Sequence, residues 1–332
     1  MDNRRLTIET PPSSMVDGPS SMVVEVTNLT GIATLQDSGR RGWNKFGVPT
    51  SGAMDWYAYQ AANSLLNNPP NSAVIELGLG EITLRALRNT VISVTGAGYE
   101  VENYIWTFPL WTSFYIRAGW TVRVKKTSGG NWAYIAIAGG FDSPVIMNSR
   151  SAYLRGGIGS ALKAGDILQS FTPTTELLKL AARDHTPLMP YSQTPILDVI
   201  PAPQADWFTP EGVRTFYESE YTLSPSFDRM GYRLQGKPIE KAITQELISE
   251  GMTMGSIQIP ADGQPIIMMA DAPTAGGYPK IANVARASLP LLAQCEAGVS
   301  KIRFREVMVE EAQEKYSVIA RRVLSPTKQS QD

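Results

Sequence analysis

The sequence predicts a mainly β protein with a few short helices, and three observations carry this prediction. Short runs of β-branched and aromatic residues recur along the chain, and several of them alternate between apolar and polar positions. The 28 Gly and 23 Pro residues among 332 exceed the usual combined share of about 12%. Helical periodicity is confined to a few segments. Many short strands separated by turn residues favour barrels or sandwiches over alternating strand–helix units.

The individual elements follow from local patterns. A first helix is predicted from Asp55 to Asn67, where apolar residues share one side until Asn-Asn-Pro-Pro ends the helix. A second begins at Ser288, a residue type that caps helices, and tolerates Pro290 in its first turn. A third begins near Val309. The predicted strands cover residues 23–26, 81–84, 91–94, 121–124, 132–138, 165–170, 256–259, 265–270 and 301–304.

The chain length of 332 residues indicates two domains, at roughly 100–200 residues per domain. Residues 75–97 can be aligned weakly with residues 248–272, which favours two related β domains in tandem. The N-terminal region is rich in Pro, Ser and charge, a composition typical of disorder. The predicted organisation is a disordered extension over 1–21, a first domain over 22–175, a linker over 176–193, a second domain over 194–323 and a disordered tail over 324–332.

Composition excludes several classes of partner and chemistry. The net charge of −1 gives no basis for binding nucleic acid or an acidic membrane surface. The single cysteine, Cys295, cannot form a disulfide within the chain and is expected to be a small buried hydrophobe. Because the chain also has a single histidine, a zinc site of Cys and His is nearly impossible, and no metal site is predicted.

The single histidine, His185, lies in a polar stretch that contains proline, and we expect a solvated linker residue there instead of a member of a catalytic triad. Catalysis would then depend on carboxylates, Arg, Lys, Tyr, hydroxyls and backbone amides. The sequence has no run of about 20 apolar residues that could span a membrane. Its N-terminal region lacks the apolar core of a secretory signal, so a cytoplasmic protein is predicted.

Five segments hold more charged residues and glycines than plain turns require, namely residues 35–43, 47–57, 148–160, 226–236 and 270–282. Paired arginines can clamp a carboxylate or a phosphate, and glycines let the backbone approach a ligand. Amides at the helix start near Ser51 could also hold an anion, although Asp55 serves equally well as the cap of its own helix. Surface ion pairs and ordinary turns explain the same segments without any ligand.

Six motifs occur in order along the chain: TLQDSGRRGW, GVPTSGAMD, SRSAYLRGGIGS, DRMGYRLQG, GSIQIPADGQPI and GGYPKIA. Together they resemble the biotin-dependent carboxyltransferase family, which includes the second subunit of allophanate hydrolase and the C subunit of 5-oxoprolinase. The resemblance extends from about Met22 to Tyr316. Six ordered motifs over most of the chain make it specific.

The resemblance implies a pair of cyclophilin-like β-barrel domains in tandem. It also implies two partners, a homologous B subunit and a third, lactam-hydrolase component, the A subunit. With them the chain would form an ATP-dependent 5-oxoprolinase, which opens 5-oxo-L-proline to L-glutamate. The complex would use the ATP, and nucleotide binding by this chain is left open because it lacks a phosphate-binding motif. The alternatives are a carboxyltransferase-like component of a urea carboxylase or allophanate hydrolase system, and a non-enzymatic antagonist of a kinase inhibitor.

Residues 270–282 match the family pattern at Asp271, Thr274 and the Gly-Gly-Tyr-Pro sequence, and depart from it at residues 272, 273 and 275. The resemblance and the motifs give the candidate catalytic residues Asp271, Arg229 and Tyr278. The candidate substrate-binding residues are Asp37, Arg40, Ser51, Asp55, Arg150, Arg155, Gly156, Gly157, Asp228, Arg233, Gln258, Thr274, Gly276, Gly277 and Lys280. We expect these loops to border one pocket. Alanine substitutions of Arg155, Arg229 and Asp271 are expected to spare folding and to abolish the activity of the complex.

Overall fold

The computed structural model describes residues 20–243 and 247–324, and these residues are mainly β, as predicted. The α-helices among them are Trp56–Leu65 (α1), Leu177–Leu180 (α2), Pro210–Glu218 (α3), Leu289–Ala293 (α4) and Val309–Val323 (α5). The strands of the first half are Ser20–Gln36 (β1), Val74–Ala86 (β2), Thr90–Gly96 (β3), Tyr99–Glu102 (β4), Thr107–Phe108 (β5), Thr112–Ile116 (β6), Thr121–Lys126 (β7), Trp132–Ile137 (β8), Phe141–Asp142 (β9) and Ile167–Phe171 (β10). Those of the second half are Ile196–Pro201 (β11), Tyr221–Phe227 (β12), Gly231–Gln235 (β13), Glu250–Gly251 (β14), Ser256–Gln258 (β15), Ile266–Met268 (β16), Ala275–Gly276 (β17), Lys280–Val284 (β18) and Lys301–Glu306 (β19).

Two of the predicted helix starts can be compared in detail. α1 begins after Asp55, whose carboxylate accepts hydrogen bonds from the amides of Tyr57 and Ala58. α4 begins after Ser288, as predicted, but the hydroxyl of this residue makes no capping hydrogen bond. It accepts one from the amide of Asp198 on β11 instead. The pattern thus located the helix, whereas tertiary packing decided how the serine is used.

α5 begins at Val309, as predicted, and α3 is a helix that the sequence analysis missed. The start of α3 carries a recognisable signal, because the hydroxyl of Thr209 accepts a hydrogen bond from the amide of Gly212 and Pro210 occupies the first turn. Its short length of nine residues gives too little periodicity to stand out from the surrounding loops.

The first half of the chain, from β1 to β10, forms one ten-stranded antiparallel sheet. The long strands β1 and β2 pair along their length. The N-terminal part of β2 also pairs with β8 and its C-terminal part with β7, so the sheet divides at β2 and encloses an apolar core. This division requires glycine at Gly31, which has φ +75°, because a Cβ there would lie 2.6 Å from the carbonyl oxygen of Gly78.

Seven strands of the second half close into a barrel in the order β11-β18-β15-β16-β13-β12-β19. Its neighbouring strands are antiparallel except for β11 and β19, which are parallel. The short strands β14 and β17 form a separate ladder. Of the two predicted barrels, the second is therefore present as a closed barrel, and the first half forms the large divided sheet.

The two halves share one hydrophobic cluster, and α1 lies within it. Alternate residues of β3 and β8 belong to the core of the first half, and the others face the shared cluster, so both strands are buried on both faces. The hydroxyls of Ser93 and Thr95 on β3 donate to backbone carbonyls of α1 over 2.7 Å each. Barrel residues such as Leu197 and Ile257 pack in the same cluster. This joint core holds loops of both halves close together.

The segment predicted as a linker, residues 176–193, is packed against the first half, and the expectation of a solvated histidine is wrong. His185 is 7% exposed, and its Nε2 lies 3.0 Å from the hydroxyl oxygen of Tyr57. The ring of Trp111 stacks on it at a centroid distance of 5.8 Å. Burial lowers the pKa of His185. Cys295 is buried, as predicted.

The ends of the chain and the domain limits remain predictions. The predicted extension and tail lie outside the described residues, except that Ser20 and Ser21 belong to β1 and that Leu324 follows α5. Across residues 20–243 and 247–324, every helix is too short or too polar to cross a membrane.

Candidate functional site

Residues 268–276 separate two cavities, and each cavity is lined by residues of both halves. The first has a volume of about 770 Å³ and the second about 540 Å³. Within this segment, residues 269, 270, 272 and 274 line the first cavity, whereas residues 268, 273, 275 and 276 line the second. The first part of the segment that stood out in the sequence, residues 270–276, therefore belongs to a partition with one cavity on each side.

The first cavity combines apolar walls with cationic side chains. Its apolar lining includes Ala53, Trp56, Met252, Met254, Met269, Ala270, Ala272, Val284 and Leu289. The exposed side chains of Arg41, Lys45 and Arg286 also line it. Such a lining suits a small ligand that has an apolar ring and an anionic group.

Ser51 brings backbone strain and an unpaired hydroxyl to this cavity. Its φ of 54° is in the left-handed region, which non-glycine residues seldom adopt. The conformation is held by the amide of Ser51, which donates to the carbonyl oxygen of Ala270 over 3.0 Å, and by Gly52, where a Cβ would lie 2.9 Å from the amide nitrogen of Gly39. Within the described residues, the buried Oγ of Ser51 and Oε1 of Gln60 have no hydrogen-bond partner. Strain and unpaired polar atoms are features that ligand sites often share, and they make this cavity a candidate.

Arg229 joins the two halves behind the partition. Its Nε donates to Oδ2 of Asp271 over 2.8 Å, and its Nη2 donates to Oδ1 of Asp271 over 3.1 Å and to the carbonyl oxygen of Gly52 over 2.7 Å. Its Nη1 donates to the carboxylate of Glu76 on β2. Burial alone would lower the pKa of Arg229, but the charges of Glu76 and Asp271 outweigh it and raise the pKa. Arg229 is therefore a fully paired cation within the wall.

Glu76 is a member of this network that the sequence analysis missed. Besides the pair with Arg229, its carboxylate accepts hydrogen bonds from the amide of Met54 over 2.7 Å and from the hydroxyl of Tyr134 over 2.8 Å. Burial raises the pKa of Glu76, and the charge of Arg229 opposes this increase. A signal was available, because an acid within the apolar run 74–77 of a buried strand needs a partner.

Arg40 is a second buried cation close to the network. Its side chain is fully buried, its Nη2 donates to the carbonyl oxygen of Ser151, and its Nε and Nη1 have no hydrogen-bond partner within the described residues. Burial lowers the pKa of Arg40, although the charges of Asp37 and Asp271 oppose this decrease. Arg40 lines neither cavity. It therefore contributes positive charge to the wall without direct contact with the cavities.

Asp37 lines the first cavity, but most of its hydrogen-bonding capacity holds two loops together. Its Oδ1 accepts from the hydroxyls of Ser149 and Ser151 over 2.7 and 2.6 Å, and its Oδ2 accepts from the amide of Arg150 over 2.6 Å. The side chain of Arg150 is paired with Asp142 at 3.1 Å and lines neither cavity. These contacts fix the loop over residues 148–160 against the loop that follows β1.

The second cavity holds charged side chains that are not neutralised locally. Arg155 and Arg233 line it and are exposed, and within the described residues neither side chain makes an ion pair or a hydrogen bond. Oδ1 of Asp228 accepts from two amides of its own turn. Tyr278 is 51% exposed, and its carbonyl oxygen accepts a hydrogen bond from the side chain of Gln258 over 3.2 Å. This cavity is thus open and charged.

Two of the predicted residues, Asp55 and Lys280, line neither cavity and have partners within the protein. Asp55 is fully buried between the halves, where its Oδ2 accepts from the hydroxyl of Tyr191 over 2.6 Å and from the side chain of Gln294 over 2.9 Å. Burial raises the pKa of Asp55 to about 6, against the opposing effect of these hydrogen bonds. Lys280 is paired with Glu250 at 2.9 Å. Both side chains are used within the protein.

The predicted loops border two cavities instead of the single pocket that we expected. The first is lined by Asp37, Ser51 and Thr274, and the second by Arg155, Asp228, Arg233, Gln258, Gly276, Gly277 and Tyr278. The remaining predicted residues, which line neither, are Arg40, Asp55, Arg150, Gly156, Gly157, Arg229, Asp271 and Lys280. Among the described residues, His, Cys, Asp and Glu form no group of three or more that could hold a metal ion.

Comparisons with known proteins agree with this architecture. A family model for the carboxyltransferase domain, subdomain A and B, matches residues 46–306. The chain is 39% identical over 295 residues to the 5-oxoprolinase C subunit of Haemophilus influenzae, covering 87% of this chain and 93% of that protein. It is 35% identical over 289 residues to the 5-oxoprolinase C subunit of Escherichia coli, covering 84% and 89%.

Among solved structures, the urea amidolyase of K. lactis superposes with a TM-score of 0.84 at 26% identity. The match covers 91% of this chain but 20% of that protein, so the chain spans about a fifth of its length. The family match and the two bacterial relatives cover most of the chain. The chain is a homologue of the 5-oxoprolinase C subunit and belongs to the carboxyltransferase domain family, subdomains A and B.

Proposed function

We propose that this chain is one component of a cytoplasmic, ATP-dependent 5-oxoprolinase that converts 5-oxo-L-proline to L-glutamate. Two relatives that match most of the chain carry the name of the 5-oxoprolinase C subunit. Such a component acts with others, and the partners we propose are a homologous B subunit and a lactam-hydrolase component, the A subunit. The chain is part of an enzyme in this proposal and is inactive alone.

The assignment of 5-oxoproline as the substrate rests on the unpaired polar groups of the first cavity. A lactam presents a carbonyl oxygen, which needs a donor, and an N–H group, which needs an acceptor. The hydroxyl of Ser51 is a free donor and Oε1 of Gln60 is a free acceptor within the described residues. The apolar wall suits the ring, and the cationic side chains suit its carboxylate. The cavity thus offers one complementary group for each polar part of 5-oxoproline.

Ring opening requires an activated lactam carbonyl, because the amide is stable and negative charge develops on its oxygen. A fixed hydroxyl donor at that oxygen stabilises this charge. Arg229 serves this arrangement by holding the carbonyl of Gly52, the residue next to Ser51. In this proposal Arg229 and Asp271 are positioning residues, and Tyr278 belongs to the other cavity. ATP supplies the activation of the carbonyl in the complex, and this chain contributes the binding and orientation of the lactam.

Reconstitution tests the proposal directly. The chain is co-expressed with the partner subunits, and release of L-glutamate from 5-oxoproline is measured with and without ATP. We expect ATP-dependent release by the complex and none by the chain alone. Ser51→Ala should lower kcat by roughly 100-fold or more, the usual effect of removing one donor to a developing oxyanion. Ser160→Ala, an exposed serine outside both cavities, is the matched control. Turnover by the chain alone would contradict the multi-subunit proposal.

A second candidate function is a carboxyltransferase component that acts on urea or a related amide. It is favoured by the structural similarity to K. lactis urea amidolyase over 91% of this chain. The same complex is therefore assayed with urea and a carboxybiotin carrier. Carboxylation of urea without release of glutamate from 5-oxoproline would favour this second function over the first.

For the architecture, we propose that both halves have the cyclophilin-like fold that the resemblance implies. The proposed domains are residues 22–175 and 194–323, joined by residues 176–193. The strands of the first sheet end at Phe171 and those of the barrel extend from Ile196 to Glu306, which supports the limits at 175 and 194, whereas β1 begins two residues before 22.

A further inference from the structure

The second cavity differs from the first in every lining residue. Three separate segments converge on it: Arg155 comes from the loop after β9, Arg233 from barrel strand β13, and Tyr278 from the loop between β17 and β18. Its volume of about 540 Å³ is within the range of small-molecule sites. The proposed lactam site leaves this cavity without a role.

Two guanidinium groups of this cavity are unneutralised. Several arginines of the protein are paired with carboxylates, as in the pairs of Arg123 with Glu81 at 2.6 Å and of Arg150 with Asp142 at 3.1 Å. Arg155 and Arg233 make no such pair within the described residues. Guanidinium groups bind carboxylates bidentately, so each of these two arginines is suited to one carboxylate of a ligand.

The cavity also contains one negative charge. Oδ1 of Asp228 is engaged by the amides of Met230 and Gly231, whereas its Oδ2 has no hydrogen-bond partner within the described residues. A free carboxylate oxygen repels a phosphate dianion and attracts an ammonium group. The charges of the lining are therefore two positive and one negative, and their complement is a molecule with two carboxylates and one ammonium group.

Glycines keep this cavity accessible. A Cβ on Gly276 would lie 2.5 Å from Nε2 of Gln258 and 3.2 Å from the side chain of Met252. That clash would displace Gln258, which lines the cavity. Gly277 is also in the lining, and a Cβ there would meet no atom closer than 3.5 Å. The glycine pair thus leaves room for a ligand beside Gln258 and Tyr278.

We propose that the second cavity binds an acidic amino acid, with Arg155 and Arg233 holding its two carboxylates and Asp228 its ammonium group. L-Glutamate fits this class. Its identification as the natural ligand rests on the proposed function, in which it is the product, whereas the class rests on the charges of the lining. The protein would then hold lactam and ring-opened amino acid on opposite sides of one partition.

Isothermal titration calorimetry of the purified full-length chain tests this proposal with three probes: L-glutamate, N-acetyl-L-glutamate and inorganic phosphate. We expect L-glutamate to bind at least tenfold more tightly than N-acetyl-L-glutamate, which lacks the ammonium group, and more tightly than phosphate. Arg155→Ala and Arg233→Ala should each weaken L-glutamate binding tenfold or more. Asp228→Asn keeps an acceptor for the two turn amides and should abolish the preference over N-acetyl-L-glutamate.

Two control variants test whether L-glutamate binding depends on the second cavity specifically. Arg303→Ala removes an exposed barrel arginine that lines neither cavity and whose side chain is unpaired within the described residues, so L-glutamate binding should not change. Ser51→Ala alters the first cavity and should also leave L-glutamate binding unchanged. Melting curves of all variants verify that they fold.

The possible results separate this inference from the proposed function. No binding of L-glutamate, tighter binding of phosphate, or dependence on Ser51 instead of Arg155 would each overturn the inference. If the reconstituted complex releases glutamate while the chain fails to bind it, the inference is wrong and the proposed function stands. If the chain binds L-glutamate as expected while the complex is inactive on 5-oxoproline, the site stands and the proposed function is wrong.

Discussion

The arginine behind the first cavity and the two arginines that line the second differ in how the protein neutralises their charge. Behind the first, Arg229 is 11% exposed at its side chain and is paired with both Glu76 and Asp271. Around the second, Arg155 and Arg233 are exposed and unpaired within the described residues. The same residue type therefore has two uses: one arginine holds the two halves together, and the others are available to a ligand.

Neighbouring residues of one motif illustrate this difference. Asp228, Met230, Gly231 and Arg233 line the second cavity, whereas Arg229 points into the wall between the halves. Residues 228–230 form the turn between β12 and β13, and this turn divides a motif of acid, arginine and glycine between two environments. Composition of a loop therefore does not show which of its charges are structural.

The largest expected effect comes from breaking the buried network. Arg229→Ala would leave Glu76 and Asp271 without their cation, and removal of one partner of a buried pair costs about 3–5 kcal/mol. We therefore expect this variant to lose stability in urea denaturation, unlike the sequence-based expectation that folding is spared. Arg233→Ala in the same motif is the control. Equal stability of the two variants would show that burial does not distinguish these arginines.

The next effect depends on pH and concerns Asp55. Its pKa is raised to about 6 from 3.8, so the folded state binds this proton more tightly than the unfolded state. The free energy of unfolding should therefore fall as pH rises from about 4 to about 6, by at most about 3 kcal/mol from this group. Above pH 6 the ionised, buried carboxylate opposes folding.

Asp55→Asn isolates this contribution. The difference in unfolding free energy between the wild-type protein and the variant is measured by urea denaturation at several pH values between about 4 and about 7, the range that brackets the two pKa values. We expect the unfolding free energy of the wild-type protein to decrease relative to that of the variant as pH rises through this range. Asp206→Asn, at a position outside the buried core, should show no such trend. A constant difference for Asp55→Asn would contradict the raised pKa.

A smaller effect of opposite sign is expected at Ser51. Ser51→Ala removes a buried hydroxyl without a partner in the described residues, which should raise stability by about 1 kcal/mol while the activity of the complex falls. Ser51→Gly also relieves the positive φ of 54°. Thermal and urea denaturation give the stability, and glutamate release gives the activity. A loss of stability in Ser51→Ala would indicate that the hydroxyl has a structural partner instead of a ligand.

The smallest expected effect comes from the second cavity. Arg155→Ala removes an exposed side chain without an ion pair in the described residues, so stability should change by less than about 0.5 kcal/mol. The midpoint of urea denaturation is the measurement. A decrease in this midpoint as large as that caused by Arg229→Ala would show that Arg155 also has a structural role, which would contradict the contrast between the two arginines.

The sequence by itself determined the local structure and the family. Alternating and β-branched runs placed the strands, and apolar spacing placed α1 and α5, because these signals lie within a few neighbouring residues. The motif order indicated the carboxyltransferase family, and the match over residues 46–306 confirms it. Loops rich in Arg and Gly were recognised as unusual because plain turns need fewer such residues.

The tertiary structure alone decided which of these residues act together. Glu76 and Arg229 are 153 positions apart, and no local pattern records that pairing. Burial of His185 depends on the packing of residues 176–193 against the first half, whereas its polar neighbours favour solvent. The division of one predicted pocket into two cavities depends on residues 268–276 running between them. Each of these facts arises from contacts between distant segments, which the shared core brings together.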